Sequence, residues 1–336
     1  MAYLQTVCTS QFDFISVIRS FLSGQGWNIE KYVAGEQGVI EAKLLVSFGD
    51  QFYYFQTKDH KEYGTVLISG GSGYAAPVDD ASFSEENLVD RGVKIYAGLN
   101  IFLENTPMTL FHYDNADGSK QLIVPYTPPS QTGYHCFLSI GKVLPAYGSV
   151  GSNNYYSTHK YNSDTGNTFS TEMFSTGVSS HIGGPNMAVN MSNDVFDNKW
   201  FSNSGADDGA GTLMHRVYGG NGKGGGNGTV AATASNTSEA LYFGMDNWVY
   251  RMSEAEHVPT TPVIIFNKYE DTTRDFIAAT IPNIRRCSSL MFDPGETTTV
   301  GAEEYAIFPL TKKKANSVSD AAANNQPGFA IRVDRG

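Results

Sequence analysis

Apolar residues recur at helical spacing only once with force, at Phe14, Ile15, Ile18, Phe21 and Leu22. Ser10 stands where a helix would be capped and Gly24 where it would stop, so a short amphipathic helix is predicted there. Strand-like runs follow at 27–33, 43–48, 52–57 and 65–69, and Gly49-Asp50 forms a tight-turn signal between the middle two. Gly70-Gly71-Ser72-Gly73-Tyr74 then breaks the pattern and predicts a loop. Further strands are predicted at 108–113, 121–126 and 134–140. Asp114 to Gly118 connects the first two, and a Pro-Pro-containing turn at 127–133 connects the second to the third.

Between Gly148 and about Ala240 the chain turns to Gly, Ser, Asn and Thr, culminating in a run from Tyr218 to Gly228 that holds seven glycines. Such a composition predicts a long loop region or an inserted lobe. Strand character resumes at 241–245, 248–252 and 262–266; the segment 280–286 then precedes a polar loop at 293–299 that leads into a closing pair at 300–310 and 328–332. In the first of these, Tyr305 and Ile307 share one face and Glu304 and Ala306 the other, until Pro309 withdraws a backbone donor. The predicted fold is mainly β, a sandwich or barrel-like body with a short N-terminal helix. Its segments are 1–147 and 241–336 for the body and 148–240 for the Gly/Ser/Asn-rich insertion.

Composition narrows the function classes. Of the 336 residues 17% are charged, below the usual share, and the net charge of -11 disfavours a general nucleic-acid-binding role. Cys8, Cys136 and Cys287 are far apart and without Cys-x-x-Cys spacing, so they read as buried apolar groups in a reducing compartment, neither a disulfide framework nor a zinc site. The N-terminus lacks the basic and apolar regions of a leader, and no window reaches the length of a membrane span. Asn190, Asn227 and Asn236 then head chance glycosylation triplets, and a cytoplasmic site of assembly is expected.

Candidate chemistry is sparse. Gly222-Lys223-Gly224 fails the phosphate-loop spacing, with Val217 where the first glycine belongs and Gly224 in place of Ser or Thr. Seven histidines, at 60, 112, 135, 159, 181, 215 and 257, show no ligand pair on a predicted helix. The acidic groupings Asp207-Asp208, Asp194 with Asp197, and Glu303-Glu304 make poor glycosidase pairs, because neighbours on a strand diverge and a Gly-rich loop holds no fixed geometry. No catalytic, cofactor or metal residue is assigned. Tyr147, Tyr155, Tyr156, Tyr161 and Tyr218 lie among small polar residues, a composition suited either to a recognition surface or to sheet faces packed within an oligomer. Lys312-Lys313-Lys314 reads as a solvated run, or as a contact with an acidic neighbour. Tyr155, Tyr156, Tyr218 and the three lysines are therefore the candidate interaction residues.

The closing "GAEEYAIFPL" segment, the short basic run and the final "GFAIR" resemble the C-terminal end of a family of tailed-bacteriophage virion structural proteins. The hairpin leading into "YHCFLSIGKV" and then "YGSVGSNNYYST" is similar to the middle of those proteins, and the helix followed by Gly26-Trp27 to their beginning. The resemblance implies a non-enzymatic structural component of a phage tail, at the neck, collar or baseplate. Its expected partners are other tail or neck proteins and copies of itself, and its expected location is the virion. The Gly-rich middle looks expanded relative to that family. The rival expectations are a receptor-binding or fibre protein that recognises host glycan and, behind it, a glycan-degrading tail enzyme.

Overall fold

A computed structural model describes residues 1–36, 38–60, 63–77, 82–92, 95–97, 105–127, 135–146, 151–159, 187–191, 199–202, 215–217, 260–268, 275–288, 292–309 and 327–333. The chain opens with a strand that periodicity did not predict, β1 (Ala2–Cys8), and then forms the predicted helix, α1 (Gln11–Gly24). Ser10 is extended, and its hydroxyl accepts the Asp13 N–H at 3.1 Å. The Asp13 carboxylate in turn accepts the Thr9 N–H at 2.9 Å, placing a negative charge at the positive end of the helix. The helix runs through Gly24, and the left-handed residue that redirects the chain is Gly26, with φ 76°. All five predicted apolar positions of α1 are buried.

The predicted strands that follow form a meander. β2 (Asn28–Val33), β3 (Lys43–Phe48), β4 (Gln51–His60) and β5 (Tyr63–Gly71) pair in sequence, and Phe48 faces Gln51 across the Gly49-Asp50 turn. The loop expected at 70–74 is instead strand for most of its length. β5 continues to Gly71, and β6 (Gly73–Tyr74) pairs with β7 (Leu88–Val89). The glycine is needed for closeness here, since a Cβ on Gly71 would lie 2.7 Å from the Val89 carbonyl oxygen. β8 (Ile95–Ala97) completes a five-stranded sheet in the order β2-β3-β4-β5-β8.

A second sheet is built from β9 (Thr106–Asp114), β10 (Lys120–Tyr126) and β11 (Cys136–Lys142), all three predicted. The two-residue β12 (Leu144–Pro145) leaves it, and β13 (Asn154–His159), β14 (Met187–Met191) and β15 (Lys199–Ser202) extend it. The order is β1-β9-β10-β11-β13-β14-β15. Three strands of the stretch 148–240 thus continue a sheet of the body, where sequence composition suggests an insertion. Every residue of β10 is buried, because this sheet is covered on both faces.

The third sheet holds β16 (His215–Val217), β17 (Thr261–Lys268), β18 (Asp275–Ser288), β19 (Thr297–Val300), β20 (Glu303–Pro309) and β21 (Pro327–Arg332). Its order is β16-β17-β18-β21-β20-β19, with β12 pairing on β18. β20 and β21 are the predicted closing strands. Their alternation is as read, with Tyr305 and Ile307 in one apolar cluster and Ala306 and Phe308 in another. The expected strands at 241–245 and 248–252 lie outside the described residues.

Side-chain packing stacks the sheets in three layers. One core joins α1 and the five-stranded sheet (Leu44, Val46, Tyr53, Phe55) to the central sheet (Leu110, Leu122, Val124, Leu138). A second core joins the opposite face of the central sheet (Phe111, Ile123, Phe137, Tyr155) to the C-terminal sheet (Ile281, Phe308, Phe329). The strict alternation of Leu122 and Val124 with Ile123 shows how a single strand serves both cores. Among the described residues the protein is mainly β, with one α-helix near its N-terminus, and its sheets are antiparallel.

Candidate functional site

β1 is an edge strand of the central sheet; among the described residues it pairs with β9 alone, residue for residue from Ala2↔His112 to Cys8↔Thr106, without a bulge. Cys8 anchors its end in the first core, its thiol 3.4 Å from the Met108 sulfur, while the Tyr3 ring rests 5.5 Å from that of Phe111. Ala2 packs against the same core, whereas Tyr3, Leu4 and Val7 are 51%, 37% and 49% exposed. No charged residue and no proline occurs between Ala2 and Cys8. Proteins commonly guard sheet edges with lysine, proline, a bulge or a cover, since the free backbone donors and acceptors template further pairing. Neither charge, proline nor bulge guards β1.

Beside this edge lies an open concavity of about 380 Å³. Its lining includes Gln5 and Val7 of β1, their cross-strand partners Thr109 and Pro107 of β9, and His135 with Phe308. His135 is held by its backbone N–H, which donates to the Pro309 carbonyl at 3.1 Å, and by an edge-on contact with the Phe308 ring at 5.3 Å. Burial pushes its pKa down to about 4, and its Nδ1 has no hydrogen-bond partner. The imidazole is therefore neutral at pH 7. A lining of evenly mixed apolar and uncharged polar groups, with a neutral ring among them, suits a side chain better than an ion.

Two buried polar networks sit deeper. Gln121 is fully buried, and its Nε2 donates to the Tyr155 hydroxyl at 2.7 Å and to the Pro282 carbonyl at 2.9 Å. Its Oε1 accepts from Asn283 at 2.7 Å, and Ser139 joins the Tyr155 hydroxyl at 2.7 Å. These bonds fasten the C-terminal sheet to the central one. On the other face, the Trp27 indole N–H donates to His112 Nε2 at 3.2 Å. Burial pushes the His112 pKa down to about 4, helped by the nearby Lys120 and N-terminal charges and opposed by Asp114. Both networks are structural, with their groups turned toward each other inside packed cores.

Tyr155 and Tyr156, expected as contact residues, are fully buried within one chain. They point to opposite faces of β13, Tyr155 into the Gln121 network and Tyr156 edge-on to Tyr53 at 6.5 Å. Neither offers area to a partner; the central sheet consumes both. Tyr218, Lys312, Lys313 and Lys314 lie outside the described residues, as do Gly222-Lys223-Gly224, Asp194, Asp197, Asp207 and Asp208. Glu303 engages the Tyr305 hydroxyl at 2.6 Å and Arg332 at 3.2 Å. Among the described residues no three His, Cys, Asp or Glu side chains group as a metal site. The edge and the concavity were not found by sequence reasoning, although the uncharged stretch from Ala2 to Cys8 was visible there. Comparison with known protein families finds no matching model, and no curated protein matches the chain.

Proposed function

We propose that the chain is a structural component of a bacteriophage virion, associated with the tail at its neck, collar or baseplate, and that it works by symmetric protein–protein contacts. The observation that carries the assembly part is β1, a seven-residue uncharged strand at the edge of the central sheet whose Tyr3, Leu4 and Val7 are exposed. Leaving such an edge open is a liability for a free monomer and an advantage for a subunit that is to be paired. The phage part rests on the resemblance of the closing strands, of the 134–158 segment and of the N-terminal helix with its Gly26-Trp27 continuation. In this reading the partners are copies of the chain and other tail or neck proteins.

The test is made on particles. Density-purified virions of the phage that encodes the chain are analysed by mass spectrometry, and antibody-gold labelling locates the chain. The expected result is a constant copy number per particle with label at the head–tail junction or baseplate. Absence of the chain from infectious particles would end the virion reading, and label confined to fibre tips would move it to host recognition.

A further inference from the structure

We infer that the concavity beside β1 binds a neutral sugar ring, with Gln5, Thr109 and His135 engaging its hydroxyls and Val7, Pro107 and Pro125 lying against its C–H groups. The inference goes beyond the virion reading and does not depend on it.

The site arises because the stacked layers differ in extent. Gln5 and Val7 stand opposite Thr109 and Pro107 across the β1–β9 ladder, and alternation puts all four on the face of the central sheet that carries Phe111. Pro125 shares that face with Ile123, two residues before it. The C-terminal sheet covers Phe111 and Ile123, with the Phe308 ring 6.0 Å from that of Phe111. Past Phe308, Gln5, Val7 and Pro107 are exposed. The step encloses about 380 Å³, at the small end of the roughly 300–1,000 Å³ typical of small-molecule clefts.

His135 supplies the second observation that points to a ligand. It is only 8% exposed, it lines the concavity, and its Nδ1 has no hydrogen-bond partner. A buried polar group without a partner is costly, and a hydroxyl, which both donates and accepts, satisfies a neutral imidazole in either tautomer.

The chemical class follows from the lining. It contains no Asp, Glu, Lys or Arg, and the chain carries a net charge of -11, so nucleotides and acidic sugars find no cation there and amino acids find no partner for either charge. A hydrocarbon would cover the Gln5 amide, the Thr109 hydroxyl and the His135 imidazole without pairing them. A sugar ring carries hydroxyls on its rim and C–H groups on its faces, which match those three polar groups and the valine and prolines between them. Because the concavity is open, the ring is free to continue into a longer glycan.

The test uses the full chain and saturation-transfer NMR. The neutral probes are methyl glucoside, methyl galactoside and methyl N-acetylglucosaminide, each beside its free sugar, and glucuronate is the charged counterpart. At least one neutral glycoside is expected to draw saturation at its ring protons, its free sugar likewise, and glucuronate none. Gln5→Ala truncates an exposed side chain, and His135→Phe keeps a ring against Phe308 while removing both nitrogens. Each is expected to weaken binding roughly fivefold, the loss of one hydrogen bond, with an unchanged circular dichroism spectrum. No transfer to any of the three glycosides, equal transfer to glucuronate, or a Gln5→Ala chain that binds like the parent would each overturn the site. Binding confined to the free sugars would overturn the continuation into a glycan. The particle experiment is separate: sugar binding by a chain absent from virions leaves this site and removes the phage reading, and a virion protein that binds none of the probes does the reverse.

Discussion

Acid should weaken this fold through two identified imidazoles. His112 and His135 are buried, and each has its pKa pushed from 6.5 down to about 4. For His112 the cause beyond burial is visible, because Nε2 accepts the Trp27 indole N–H and a proton placed there would set two donors against each other. Above about pH 6.5 both imidazoles are neutral in folded and unfolded chain alike, and they do not bias the equilibrium. Between 6.5 and 4 the unfolded chain takes up protons that the folded chain refuses, so stability falls as the pH falls; below 4 the loss is complete. At about 1.4 kcal/mol per pH unit, the loss reaches roughly 2 to 3 kcal/mol per histidine at pH 4.5, or about 5 kcal/mol for the pair. That is comparable with the whole stability of many domains. Urea unfolding followed by tryptophan fluorescence at pH 7 and pH 4.5 measures the difference. His112→Gln keeps an acceptor for the indole, His135→Gln keeps a polar group at the concavity, and each should remove about half of the pH-dependent loss whatever its own cost at pH 7. Carboxylates such as Asp114, held low by its hydrogen bond from Lys120, contribute to every variant and cancel in the comparison. Equal pH dependence in both variants and the parent, or imidazole NMR signals titrating near 6.5 in the folded chain, would refute the reasoning.

Removing the Tyr155 hydroxyl strips a partner from both Gln121 and Ser139 in a buried site, so Tyr155→Phe should lower stability by about 2 kcal/mol, read as a shift of the urea midpoint. An unshifted midpoint would mean that the network is idle. Gly35 has φ 72°, and a Cβ there would fall 2.4 Å from the Ala42 backbone nitrogen; Gly35→Ala should cost at least about 2 kcal/mol in the same assay, and a neutral result would show that the turn can be rebuilt. All three cysteines are buried, and burial with the nearby Asp13 pushes the Cys8 thiol up to about 12, so maleimide should label the native chain slowly and the urea-unfolded chain three times over. Rapid native labelling at Cys8 would contradict the anchoring of β1.

Where neighbours in sequence are neighbours in space, the chain was readable. α1 announces its cap at Ser10 and its buried stripe, the β3–β4 hairpin announces Gly49-Asp50, and β20 announces its two faces. The misses have separate physical sources. An edge strand with one partner loses the polar alternation that marks a half-buried sheet, and β1, with exposed Tyr3, Leu4 and Val7 on both faces, shows no usable period. β13 and β14 were hidden by the small polar residues around them, and Tyr155 looked exposed because its hydrogen-bond partners Gln121 and Ser139 lie in other strands. The candidate site shares this fate: Gln5, Pro107, His135 and Phe308 of its lining come from four distant segments. Only the lack of charge across Ala2–Cys8 could have pointed there.

The pairing of β1 with β9 also sets an order of events in folding. Ala2 meets His112 and Cys8 meets Thr106, and the entire five-stranded meander lies between them in the chain. The meander closes mainly through successive hairpins and can form early, whereas β1 must wait until β9 has emerged and the loop between them has been gathered in. During that interval an uncharged strand is free on both edges, competing between its own sheet and those of other nascent chains. Slow translation or crowded expression should therefore turn the first eight residues into the main source of misassembly.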